Sequence, residues 1–181
     1  MAEVISSRSY FDIFSLPIGW SIESAVLDSR YRQLQRQFHP DRYAGKSDVD
    51  IRLAVQTAAL INDAYATLMS PLKRAQYLLK LDGVKADQES HITSDGEFLM
   101  AQIELREELA EVGESGASSS ALAALAVLEQ RIALTYVGLQ DDFNGHYSAG
   151  EQTAAFEVVA KMQFFAKLLE HVEALEEQLD S

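Results

Sequence analysis

The sequence predicts an all-α chain built from an N-terminal helical hairpin module and a C-terminal three-helix bundle. Three observations carry that prediction. Apolar residues recur at three- and four-residue spacing through most of the chain. The breaks in the pattern fall on Pro, Gly, Ser and Asn-Gly, which end or start helices. Charge also divides along the chain: up to Leu81 there are 10 Lys+Arg and 8 Asp+Glu, and from Asp82 on there are 5 and 20. Such an asymmetry points to two modules that meet different partners.

Residues 10–16 read as a short aromatic turn or helix stopped by Pro17. Ser21 is the expected N-cap of the next helix. There Ala25, Leu27, Tyr31, Leu34 and Phe38 make the inward stripe, and Arg30, Arg32, Arg36 and then Arg42 fall largely on the solvated side. His39-Pro40-Asp41 follows. Proline has no N–H and pushes the preceding residue out of the α region, so this tripeptide sits at a turn between two helices. After a polar loop, 43–49, a helix from Asp50 presents Leu53, Ala54, Thr57, Leu60, Ile61, Ala64, Tyr65 and Leu68. Ser70-Pro71 restarts the chain as N-cap and first helical residue.

Residues 82–93 lose the periodicity and read as a linker. Ser94-x-x-Glu97 reads as a capping box. In the helix it opens, Phe98, Ala101, Leu105, Leu109 and Val112 form one stripe. Leu99, Met100 and Ile103 fall outside it, beside Glu104, Glu107 and Glu111, either as extra core or as a face for a partner. A Gly/Ser loop over 113–118 precedes an alanine-rich helix over 119–141 with Ala121, Leu125, Leu128, Ile132, Thr135 and Leu139 inward. Asn144-Gly145 reads as a turn and Ser148-x-x-Glu151 as a second capping box. The last helix turns Val158, Met162, Phe165, Leu169, Val172 and Leu179 inward. Phe164 lies about 100° round from Phe165, toward Lys161, Lys167 and Leu168, where it either caps the bundle edge or meets a partner.

Composition removes whole classes of function. There is no cysteine, so no disulfide and no thiolate metal or iron–sulfur site. His39, His91, His146 and His171 form no pair at helical spacing, so no metal site is expected. No apolar run approaches the roughly 18 residues of a membrane span, and residues 1–8 lack a secretion-signal pattern. A cytoplasmic protein without a membrane partner is expected. The acidic half, with 5 Lys+Arg and 20 Asp+Glu from Asp82 on in a chain of net charge −13, argues against nucleic acid, whose binders need a basic footprint. With no Ser/His/Asp grouping, no Gly-rich phosphate loop and no evident carboxylate pair, neither an enzyme nor a cofactor is expected.

Three separated strings agree in order with a known pattern. Tyr10-Phe11-Asp12-Ile13-Phe14 resembles the first helix of a J-domain. Tyr31-Arg32-Gln33-Leu34 with Phe38-His39-Pro40-Asp41-Arg42 resembles the end of its second helix and its signature loop, and Ile61-Asn62-Asp63-Ala64-Tyr65-Ala66-Thr67-Leu68 the end of its third. Arg42 stands where many members carry lysine, which keeps the charge. Two further strings, Pro71-x-x-Arg74-Ala75-x-Tyr77-Leu78-Leu79 and Phe98-Leu99-Met100-x-Gln102-x-Glu104-Leu105-Arg106-Glu107-Glu108-Leu109, resemble the HscB branch, the J-type co-chaperones of iron–sulfur cluster assembly. The likeness spans nearly the whole chain and is weakest from Gly113 to Gly150. The zinc module that some relatives carry at their N-terminus has no cysteine counterpart here.

The resemblance implies a J-domain over 1–81, a linker over 82–93 and a client-binding bundle over 94–181. It implies that Arg30, Arg32, Arg36, His39, Pro40, Asp41 and Arg42 bind a DnaK-type chaperone of the HscA type and stimulate its ATPase. It implies that Leu99, Met100, Ile103, Glu104, Glu107, Glu111 and Phe164 hold an iron–sulfur scaffold protein of the IscU type. The alternatives are a J-protein for another client through the same bundle, and a helical adaptor whose acidic half binds a basic protein, His-Pro-Asp being only a turn.

Overall fold

The computed structural model describes residues 9–43, 45–84 and 95–180. Their regular structure is helical throughout, as the periodicity predicts: α1 (Tyr10–Ile13), α2 (Ser24–Phe38), a 3-10 turn (Pro40–Tyr43), α3 (Asp48–Met69), α4 (Pro71–Leu81), α5 (Gly96–Glu114), α6 (Ser119–Ser148) and α7 (Gln152–Leu179). Contacts group these into two compact units, one ending at Leu81 and one starting at Asp82. The expected linker falls largely on residues 85–94, outside the described residues, as do Ile92 and the expected cap Ser94.

In the first unit α2 and α3 form an antiparallel hairpin, with α1 and α4 laid against α3. Phe11, Phe14, Leu27, Ile61, Leu68, Leu78 and Leu79 are fully buried. Ala54 and Ala64 are buried among them, and their small side chains let neighbouring helices approach α3 closely. The hairpin legs are tied by polar aromatic contacts. Tyr31 stacks on Tyr65 at 3.9 Å, the Tyr65 hydroxyl donates to Asp28 at 2.7 Å, and the Tyr31 hydroxyl donates to Asn62 at 3.1 Å. Pro71 opens α4 with Ser70 before it, as expected, and Ser70 Oγ accepts from the Lys73 N–H at 3.4 Å. Arg74 donates to the Leu68 carbonyl at the end of α3 and lies over the Trp20 ring.

Local expectations fail where tertiary packing overrides them. Helix α2 starts at Ser24 after Glu23, not behind Ser21, and α3 starts at Asp48 with Ser47 as its cap, two residues before Asp50. Ala25 and Leu53 are exposed, because the buried stripes run through Leu27 and through Ala54, Thr57 and Ile61 instead.

The Tyr10 hydroxyl donates to Asp63, tying α1 to α3. That hydrogen bond first, then burial and the Asp63 charge, push the Tyr10 pKa up from 10.0 to about 12. A raised folded-state value means the stabilisation is whole below pH 10.0 and fades as pH rises toward about 12. Tyr10→Phe should therefore shrink the alkaline fall in the melting temperature over that window. The part due to Tyr65, raised by its own bond to Asp28, should remain. An unchanged pH profile of melting would show that the Tyr10–Asp63 bond contributes nothing.

In the second unit α6 and α7 form the long antiparallel pair, with α5 laid on both. Ala121, Leu125, Leu128, Ile132, Leu139 and Phe143 of α6 meet Ala155, Val158, Val159, Met162, Phe165, Leu168 and Val172 of α7. Asn144-Gly145 is not a turn and Ser148 is not a cap: α6 runs through both, held by fully buried Phe143, which stacks on Tyr147 at 5.5 Å. The break comes at Gly150, whose φ of 75° suits glycine. There the Glu151 N–H bonds the His146 carbonyl and the Gly150 N–H the Tyr147 carbonyl, a Schellman ending. Thr135 is exposed and donates to the Arg131 carbonyl. Leu168 is buried and Leu169 only partly so, one position away from the expected register.

The expectation about apolar length also needs correction. Ser119–Ser148 is long and apolar enough to cross a membrane by length and composition, with mean hydropathy of 1.4 over its best window. Counting runs missed this because Glu129 and Arg131 interrupt the run without lowering the average far. The helix nevertheless seats one stripe in the bundle core.

Candidate functional site

The first candidate face surrounds the turn after α2. His39 ends that helix in an extended conformation, φ −61° and ψ 128°, as its proline neighbour requires. Pro40 opens the 3-10 turn, closed by the Arg42 N–H on the His39 carbonyl at 3.0 Å. The Asp41 N–H donates to His39 Nδ1 at 3.3 Å, which orients the imidazole. The Asp41 side chain is 89% exposed. Arg32, Gln35, Arg36, His39 and Arg42 line an open groove of about 570 Å³. Arg42 donates back to the Arg36 carbonyl and Arg36 to that of Arg32, so these two guanidinium groups are held along one side of the hairpin tip, and Arg32 lines the same groove. An anionic surface would find three cations there, with exposed Asp41 beside His39 and Arg42 in the chain.

Arg30 does not share this solvated face. Its guanidinium donates to the Phe14 and Ser15 carbonyls, behind α1. Ser15 has a φ of 52°, so Arg30 holds a turn that its backbone alone would not favour.

The second candidate face is α5. Asp95 caps it, accepting from the Phe98 N–H at 3.0 Å, and also pairs with Lys161 of α7 at 2.6 Å. The hydrogen bond from Lys161, then that from Phe98, hold the Asp95 carboxyl below its usual pKa. None of the α5 side chains is fully buried; Phe98, Ala101, Leu105, Leu109 and Val112 are half-buried against α6 and α7. On the opposite side Leu99, Met100 and Ile103 are 41%, 58% and 51% exposed. Glu104, Glu107 and Glu111 are exposed beside them. Leu99, Met100 and Ile103 are therefore not core.

Phe164 sits at the border of that face. Phe165 points inward and Phe164 stays half-buried, its ring edge-on to Phe98 at 5.7 Å. Sequence reasoning missed Arg106, whose guanidinium lies over the Phe164 ring at 5.3 Å. Gln102, Arg106, Gln163, Phe164, Lys167 and His171 line a shallow groove of about 230 Å³. The acidic apolar ridge thus has one basic, aromatic edge. A signal was present: Arg106 is the single cation in α5, one turn from Gln102. Among the described residues no three His, Asp or Glu side chains gather to hold a metal.

Comparison with known proteins extends both likenesses. Residues 94–173 match the family model described as the HSCB C-terminal oligomerisation domain. The chain is 41% identical over 171 residues to the co-chaperone protein HscB homolog of Vibrio cholerae serotype O1, an alignment covering 94% of this chain and 98% of the relative. Chaperone HscB from Vibrio cholerae superposes with a TM-score of 0.82 at 40% identity, over 95% of this chain and 99% of that one. Human co-chaperone HscB does so with 0.84 at 30%, over 93% and 82%. On that identity and coverage, this chain belongs to the HscB family of J-type co-chaperones.

Proposed function

We propose that this chain couples an iron–sulfur scaffold protein of the IscU type to a DnaK-type chaperone of the HscA type. Residues 1–81 act as the J-domain, 82–93 as linker and 94–181 as the scaffold-binding bundle, in the cytoplasm. Arg32, Arg36 and Arg42 steer and orient the chaperone by charge, which makes association salt-dependent. Arg30 contributes through the shape of the turn it holds. His39, Pro40 and Asp41 engage the chaperone where its nucleotide domain meets its interdomain linker. Asp41 pairs with a chaperone arginine, a charge-assisted contact that fixes geometry. Leu99, Met100, Ile103, Glu104, Glu107, Glu111 and Phe164 hold the scaffold. Binding both partners raises the local concentration of scaffold at the chaperone. The chain catalyses nothing itself; the chaperone hydrolyses ATP faster while the scaffold is delivered to it.

The observation that most supports this reading is the exposed Asp41, set in the chain between His39 and Arg42, which with Arg32 and Arg36 line one groove. The deciding experiment is steady-state ATP hydrolysis by the DnaK-type chaperone with this chain, the scaffold, and both together. Stimulation by this chain that the scaffold enhances is expected. No stimulation under any condition would leave a helical adaptor instead.

A further inference from the structure

Pro40 has no N–H, so the first backbone donors of the 3-10 turn are those of Asp41 and Arg42. Both end on the same residue. The Asp41 N–H donates to His39 Nδ1 at 3.3 Å, and the Arg42 N–H donates to the His39 carbonyl at 3.0 Å. No other acceptor among the described residues takes the Asp41 N–H. His39 thereby fastens the backbone on both sides of the Asp41 side chain, while that side chain stays 89% exposed.

The first of these bonds decides which ring nitrogen carries the hydrogen. A nitrogen that accepts holds no proton, so the neutral imidazole keeps its hydrogen on Nε2. Asp41 Oδ2 also lies 3.5 Å from Nδ1. The two contacts exclude each other, because Nδ1 would need a proton to bond the carboxylate and would then repel the amide hydrogen. The amide is the nearer partner and meets Nδ1 with its hydrogen, so the carboxylate is left for another molecule. This bond has the topology of an Asx turn, in which an Asn or Asp side-chain oxygen accepts from the N–H two residues on. His Nδ1 and Asn Oδ1 stand at the same covalent distance from Cα. Gln Oε1 stands one bond further out, level with His Nε2.

We propose that His39 takes part in chaperone engagement as a positioning residue: its Nδ1 holds the Asp41 backbone so that the Asp41 carboxylate is presented to the chaperone, and the imidazole makes no essential contact of its own. The proposal rests on the J-domain reading of this turn and assigns the histidine its task within it. An acceptor at the δ position is what residue 39 must supply, and a ring is not.

The test sets His39→Asn against His39→Gln in the full chain, read by ATPase stimulation of the DnaK-type chaperone. Asn keeps the δ acceptor without a ring, and Gln carries its amide at the ε position. His39→Asn should need at most about twice the wild-type concentration for half-maximal stimulation and His39→Gln about ten times, the range that one hydrogen bond spans. In the free chain the Asp41 amide should exchange with solvent more slowly in wild type and His39→Asn than in His39→Gln. Nδ1 of the neutral ring should show the NMR shift of an unprotonated nitrogen. Loss of stimulation in both variants would give the ring a contact of its own and overturn the proposal. Stimulation kept by His39→Gln, with or without His39→Asn, would overturn it too, as would equal amide exchange in all three chains or a proton on Nδ1 of the neutral ring. A wild-type chain that stimulates no chaperone fails differently: it removes the J-domain reading and this role together, whereas an active wild type with both variants silent removes the role of Nδ1 alone.

Discussion

Asp41→Asn should bring chaperone ATPase stimulation down to the unstimulated rate while leaving scaffold affinity and melting temperature near wild type. The exchange keeps size and removes one negative charge. The side chain is 89% exposed, so folding should change by no more than about 0.5 kcal/mol. A charge-assisted hydrogen bond contributes about 1.5–3 kcal/mol when both groups are held, so its loss lowers engagement by about ten- to more than a hundredfold. His39→Gln should act in the same direction by releasing the hydrogen bond from the Asp41 N–H that fixes the turn. Arg36→Ala differs in kind: it should weaken association most at low salt and little at high salt, because its contribution is long-range. Full stimulation by Asp41→Asn at saturating concentration would remove the proposed trigger and leave the turn a connection between helices. Wild-type scaffold affinity in the same preparation is the control that separates a lost trigger from a damaged protein.

The helices were legible because helical periodicity is set by burial. Leu27, Ile61, Ala64 and Leu68 in one unit, and Leu125, Leu128, Ile132 and Met162 in the other, were expected inside and are buried. Ends were less legible, since a cap is a local preference that packing can outweigh. Ser148 and Asn144-Gly145 carry strong local signals, yet Phe143 and Tyr147 gain more by continuing α6 than a turn at Asn144 would provide. Arg30 was read as solvated because its spacing matches Arg32 and Arg36 in type; that its guanidinium turns toward carbonyls sixteen and fifteen residues earlier is a tertiary fact with no local trace. Arg106 was legible and passed over, as the aromatic it covers lies on another helix.

Leu99→Ala combined with Met100→Ala should weaken scaffold binding strongly while circular dichroism and melting stay close to wild type. Both side chains stand on the exposed side of α5, 41% and 58% accessible, so truncation opens no cavity in the bundle. Alanine is also the best helix former, which protects α5 itself. If the pair lies at the centre of the interface, each truncation costs about 1–4 kcal/mol of binding, or roughly five- to a thousandfold in Kd. Ile103→Ala should add to the loss, as it lies one turn on from Leu99. Glu107→Gln should instead slow association and flatten its salt dependence, being a rim charge. Chaperone stimulation without scaffold should be untouched in all three variants, because the trigger residues belong to the other unit. A fall in helicity or melting temperature that matched the fall in binding would return Leu99 and Met100 to the core of the bundle. Undiminished binding with the fold intact would move the scaffold contact elsewhere, and the groove lined by Arg106, Phe164 and Lys167 would be the next surface to probe.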